Sequence, residues 1–180
     1  LWYTDAHWNN NSQMSPVLLK YLYGHTPINK VAFGGDIVNN EPTAETIDDR
    51  TIMAYLWEWR GAVHGLNHHS VVGNHDDGNT TNNIFPDNYI YAYLLASEES
   101  NDIVYGDGFY YYIDDKCEKT RYLYLDTAYK GNSSNQLTFV KQALITTPTD
   151  WHIVVITHIW YQPDYDQYSV RPILWSLTLP

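Results

Sequence analysis

The stretch Val31-Ala32-Phe33-Gly34-Gly35-Asp36 contains the pattern from which the fold of this chain can be predicted. Three consecutive apolar residues are typical of a short strand, the two glycines permit a tight turn, and an acidic residue follows at once. In α/β proteins, the loops that follow the strands are where ligands bind. We therefore expect Asp36 to lie at a functional edge of a β-sheet.

The same order, a strand followed by a polar cluster, occurs at three other places along the chain. Asp5-Ala6-His7 follows residues 1–4, Gly73-Asn74-His75-Asp76 follows residues 69–72, and Thr157-His158 comes at the end of residues 152–157. If these strands are neighbours in one architecture, their polar clusters meet at the same ends of the strands.

Strand-like and helical segments alternate in the first half of the chain, which favours parallel pairing. The strands are expected at 1–4, 31–33, 69–72, 109–113, 121–125 and 152–157, and the helices at about 15–23, 43–63 and 134–145. Residues 109–125 instead predict an antiparallel hairpin around Asp114-Asp115-Lys116. The sequence therefore predicts an α/β fold with mixed pairing, or two packed mixed β-sheets flanked by helices.

Length and composition restrict the class of protein. The chain has 180 residues, 44% of them hydrophobic, which argues for a single domain over residues 1–180. Its net charge of −11 disfavours a nucleic-acid partner, because binding to a polyphosphate needs clustered Lys and Arg. This negative net charge is still compatible with a phosphate substrate if bound cations supply positive charge. No apolar run is long enough to span a bilayer, and no signal for a cellular location is visible.

The polar clusters combine oxygen donors with imidazoles. Such a set suits Mn, Fe or Zn, whereas the single Cys117 excludes a cysteine-based metal cluster. In an extended Asp-x-His, side chains two residues apart point to the same side, so Asp5 and His7 can bind one ion. The two carboxylate oxygens of Asp36 can bridge two ions.

In these clusters the chain resembles the calcineurin-like metallophosphoesterases. Four of the five sequence blocks of that family are present in order, as Asp5-Ala6-His7, Gly35-Asp36, Gly73-Asn74-His75-Asp76 and His158, and the similarity extends from Leu1 to Trp160. The resemblance implies a four-layer sandwich with a dinuclear metal site at the sheet edge. It also implies hydrolysis of a phosphate mono- or diester by a water or hydroxide that bridges the metals.

The resemblance further implies a role for each matching residue. Asp5 and His7 correspond to ligands of the first ion, Asp36 to the bridging ligand, and Asn74 and His158 to ligands of the second ion. His75 corresponds to the histidine that contacts the substrate phosphate or protonates the leaving group.

Three aromatic residues lie within three positions of a proposed ligand, namely Trp8, Trp160 and Tyr161. They could line a substrate pocket and stack on a base, a sugar or an aromatic leaving group. Packing of the loops explains them equally well.

Two departures from the family pattern leave a second function open. No histidine follows His158, so the Gly-His-x-His block is missing, and Asn39 stands where many relatives carry an aspartate. A metal-poor or inactive sandwich that serves as a binding or structural module is therefore the alternative to an enzyme. A nuclease of the same family is disfavoured by the acidic charge. The missing block also leads us to expect further polypeptide after Pro180.

Overall fold

Short strands and two longer helices make up the part of the chain that the computed structural model describes, which is residues 1–6, 14–37, 58–73, 76, 103–106, 110–127 and 134–159. The strands are β1 (Trp2–Tyr3), β2 (Val31–Phe33), β3 (His68–Ser70), β4 (Ile103–Tyr105), β5 (Tyr111–Asp115), β6 (Thr120–Leu125) and β7 (His152–Thr157). The helices are α1 (Met14–His25) and α2 (Ser134–Ile145), and residues 58–62 are also helical.

The chain divides into two compact units, Leu1–Glu98 and Glu99–Pro180, and the described residues of each form one sheet. In the first unit, β1, β2 and β3 pair side by side in parallel. In the second, β4, β5 and β6 pair antiparallel, while β7 joins β6 in parallel. The predicted α/β class with two β-sheets is confirmed. None of the described helices has the length and apolar character needed to cross a membrane.

The central strand of the first sheet is held by aromatic packing around Phe33, which is fully buried. Its ring lies edge-on to Trp59, with the ring centroids 5.3 Å apart, and at the same distance from the imidazole of His68. Burying a phenylalanine side chain stabilises a fold by roughly 1.5–3 kcal/mol. This packing fixes the strand that ends at the Gly-Gly-Asp turn.

The second sheet is covered by α2. Val140 and Ala143 are buried in one cluster with Leu123 and Leu125 of β6. The sequence predicts the inner face of this helix from Leu137, Val140, Lys141 and Leu144. Three of these residues, Leu137, Val140 and Leu144, do pack in or against the buried cluster, whereas Lys141 is exposed and Gln136 and Ala143 are buried in addition.

Arg121 ties the hairpin of β5 and β6 to the end of α2. Its Nε and Nη2 donate to the two carboxylate oxygens of Asp114 at 2.7 and 2.8 Å, and its Nη1 donates to the carbonyl of Ala143. The guanidinium carbon also lies 3.9 Å from the ring centroid of Tyr112. Because Arg121 is buried, this pairing satisfies a charge that would otherwise be strongly destabilising.

The bounds of β2, β7 and α2 match the sequence prediction, and the other predicted strands and α1 differ from it by one or two residues at their ends. The hairpin was predicted to turn at Asp114-Asp115-Lys116, but the first two of these residues belong to β5 and the turn is at residues 116–119. β3 runs from His68 to Ser70 instead of over 69–72, and β4 was not predicted. Of the helix expected over 43–63, residues 43–57 lie outside the described residues.

Burial of two histidines in β3 predicts a loss of stability in acid. His68 is 5% exposed, and desolvation lowers its pKa from 6.5 to about 4; the same cause lowers the pKa of His69 to about 4. The unfolded chain therefore binds more protons than the folded chain between pH 6.5 and 4, so stability falls as the pH falls through that window. For His68 alone, we expect about 2 kcal/mol less stability at pH 5 than at pH 7.

Urea unfolding at pH 7 and pH 5 measures this effect. His68→Phe keeps an aromatic ring without the titrating nitrogen, so its stability should depend less on pH. His152→Asn, at an exposed position of β7, is the control and should keep the dependence of the wild type. An unchanged pH dependence in His68→Phe would show that this histidine does not carry the effect.

Candidate metal site

Asp36 lies directly after β2, beyond the turn made by Gly34 and Gly35. It is 4% exposed and its φ of 51° places it in the left-handed region of the backbone. Aspartate tolerates this conformation better than most residues do, and residues held there cluster at functional sites. The sequence prediction that Asp36 lies at a sheet edge is consistent with this position after the strand.

Asp5 lies after β1, the strand next to β2, and it is exposed. Its φ is 55°, so both acidic residues adopt left-handed backbone conformations. The amide of Asp5 donates to the carbonyl of Gly35 at 3.1 Å, and the Thr4 hydroxyl donates to Asp5 Oδ2 at 2.6 Å. Carboxylate oxygens of Asp5 and Asp36 lie within 4.8 Å of each other. Two adjacent parallel strands therefore bring two predicted ligands together.

Gly73 lies directly against Asp36. A Cβ added to Gly73 would overlap both the backbone nitrogen and Oδ1 of Asp36. Glycine is needed at this position because two backbone segments approach closely, since Gly73 itself does not have a left-handed φ. No local sequence pattern indicates this contact.

Asp76, the last residue of the Gly73-Asn74-His75-Asp76 cluster, is a buried acidic residue. Its Oδ1 accepts the amide of Ile37 at 2.7 Å, and its Oδ2 accepts the amide of Gly73 at 2.8 Å. The carboxylate thus joins the segment after β2 to the segment after β3. Asp76 directly follows His75, and this adjacency was the one sign in the sequence that Asp76 belongs to the site. Its two amide partners could not be predicted from the sequence.

His158 follows β7 in the second unit and is half-buried. The amide of the next residue, Ile159, donates to the hydroxyl of buried Thr127 at 2.8 Å. Thr127 in turn follows Asp126, whose amide and carbonyl bond to the side chain of Gln136, both at 2.9 Å. Buried side chains thus link the segment after β7 to the segment after β6.

The other predicted site residues lie outside the described residues. These are the proposed ligands His7 and Asn74, the proposed catalytic His75, and the aromatic residues Trp8, Trp160 and Tyr161.

The carboxylates of Asp5 and Asp36 have the donor chemistry that a metal ion requires. Two carboxylates near each other repel, and a cation between them relieves this repulsion. Carboxylate oxygens, complemented by imidazoles, are ligands for Mn, Fe and Zn. Asp5 and Asp36 are therefore able to hold a divalent cation at the edge of the first sheet.

Comparison with solved structures finds a similar fold. The crystal structure of a dimetal phosphatase from Danio rerio matches this chain with a TM-score of 0.70, covering 97% of this chain and 76% of that chain. The two sequences are 13% identical, so the match shows a shared fold. No family model matches the sequence, and no curated protein matches it.

The contact between Gly73 and Asp36 predicts a steric effect on metal binding. In Gly73→Ala, the new methyl group must displace Asp36, so we expect Mn²⁺ affinity to fall on the order of tenfold or more. Overpacking should also lower the free energy of unfolding by about 1–3 kcal/mol. Isothermal titration calorimetry and urea unfolding measure the two effects.

Gly61→Ala is the matched control, because a Cβ at Gly61 has no neighbour within 4 Å. Gly61 lies in the helical residues 58–62, so alanine should preserve or raise stability there. Wild-type Mn²⁺ affinity in Gly73→Ala would contradict the view that this contact shapes the ligand geometry.

Proposed function

We propose that this chain is a metal-dependent phosphoesterase of the calcineurin-like type, which hydrolyses a phosphate mono- or diester. The observation that carries the proposal is the approach of the Asp5 and Asp36 carboxylates at the ends of two adjacent parallel strands. The left-handed backbone of both residues and the fold shared with a dimetal phosphatase support it.

The proposed ligands divide between two ions. Asp5 and His7 would hold the first ion, Asn74 and His158 would hold the second, and Asp36 would be the carboxylate shared by both. Two bound Mn, Fe or Zn ions would supply Lewis-acid activation of water and neutralise charge on the phosphoryl oxygens. The burial of Asp36 suits a bridging role, because a buried carboxylate needs compensating positive charge.

His75 is the proposed general acid. As water adds to phosphorus and the P–O bond to the leaving group breaks, His75 donates a proton to the departing oxygen. In the proposed site Trp8, Trp160 and Tyr161 contact the leaving group or the rest of the substrate, where aromatic rings suit a base, a sugar or an aryl group.

A second candidate is a metal-poor binding module with the same fold. The observation that favours it is Asn39, which stands where many relatives carry an aspartate that pairs with the catalytic histidine. The two candidates differ in whether added Mn²⁺ produces hydrolysis.

The function is tested by the hydrolysis of phosphate esters with added Mn²⁺. We expect Mn²⁺-dependent turnover, and we expect His75→Ala to lower it on the order of 10²–10⁴-fold for an alkyl ester. The loss should be smaller for p-nitrophenyl phosphate, because p-nitrophenolate leaves without protonation.

His152→Ala is the control for this experiment, since His152 is exposed and has no place in the proposed site. An equal loss for the alkyl and aryl esters would assign His75 to phosphate positioning. No Mn²⁺-dependent turnover of either ester would favour the binding module.

A further inference from the structure

Asp76 is fully buried, and each of its two carboxylate oxygens accepts one backbone amide. Oδ1 accepts from Ile37 at 2.7 Å and Oδ2 accepts from Gly73 at 2.8 Å. The Asp76 amide also donates to the Gly73 carbonyl at 3.2 Å. A single side chain thus joins segments that are far apart in sequence but follow the neighbouring strands β2 and β3.

Both amide partners of Asp76 are neighbours of Asp36. Ile37 is the next residue in the chain, so its hydrogen bond fixes the peptide on the carboxyl side of Asp36. Gly73 lies against the backbone nitrogen and Oδ1 of Asp36. Asp36 also has a left-handed φ of 51°, a conformation that persists when surrounding contacts determine it. The Asp76 carboxylate supplies two of these contacts.

We propose that Asp76 is a positioning residue that holds Asp36 in the orientation needed to bridge two metal ions. This role rests on the proposed function, in which Asp36 is the bridging ligand. Hydrogen bonds from backbone amides to a carboxylate are charge-assisted and strong. Groups that orient a metal ligand commonly change metal affinity 10–100-fold when they are removed.

The two amide donors explain why a carboxylate is required at position 76. An asparagine offers one carbonyl oxygen and one NH₂ group, which is a donor and cannot accept an amide hydrogen. Asp76→Asn therefore leaves one of the two amides facing another donor, and the segment that carries Asp36 must shift.

The experiment compares Mn²⁺ affinity in the full chain by isothermal titration calorimetry and stability by thermal unfolding. Asp114→Asn is the matched control, because the Asp114 carboxylate also accepts two N–H bonds, here from Arg121 in the other unit. We expect Asp76→Asn to weaken Mn²⁺ binding about 10–100-fold. Asp114→Asn should keep the Mn²⁺ affinity within about twofold of the wild-type value, even if it lowers the melting temperature as much as Asp76→Asn does.

Equal losses of affinity in the two variants would show a general effect of destabilisation and overturn the positioning role. Unchanged affinity in Asp76→Asn would overturn that role alone, whereas a wild-type chain that binds no Mn²⁺ would contradict the metal centre as well. If Asp76→Asn does not fold, Asp76→Glu serves instead, since its extra methylene displaces Ile37 while both acceptors remain. A several-fold weaker affinity supports the proposal, and wild-type affinity contradicts it.

Discussion

The contact between Gly73 and Asp36 is the constraint on which the geometry of the first sheet edge depends. β2 and β3 are parallel and in register, so the segments that follow them leave the sheet side by side. They approach so closely that there is no room for a Cβ at Gly73. The buried amides at this contact need acceptors, and the Asp76 carboxylate provides them.

In the second unit, too, side chains form hydrogen bonds with buried backbone groups after the strands, although the residues are different. The Gln136 amide pairs with both backbone groups of Asp126, and the Thr127 hydroxyl accepts the amide of Ile159. Buried polar groups near the ends of β6 and β7 are thus paired by side chains from neighbouring elements. The segment that carries His158 is held by this network, as the segment that carries Asp36 is held by Asp76.

Elements with a strong local pattern were predictable from sequence. Val31–Phe33 and His152–Thr157 are apolar runs bounded by polar residues, and both are strands as expected. β3 starts one residue earlier than predicted, at His68, because His68 packs against Phe33, a contact between distant residues that no local pattern predicts. β4 is a three-residue strand at the edge of its sheet, too short for a periodic pattern to reveal.

Part of the placement of the candidate site residues was predictable from the sequence. Motif order placed Asp5, Asp36 and His158 after strands, which is where the structure has them. The left-handed backbone of the two aspartates and the two amide partners of Asp76 were not predictable. These features depend on contacts between segments distant in sequence, which no local pattern records.

The central claim is that Asp36 is a carboxylate shared by two metal ions. Metal content after equilibrium dialysis against Mn²⁺ tests it most directly, with wild type, Asp36→Asn and Asp5→Asn compared under the same conditions. The account predicts two ions per wild-type chain, loss of both in Asp36→Asn, and loss of one in Asp5→Asn. Negligible metal in the wild type, or equal losses in the two variants, would contradict it.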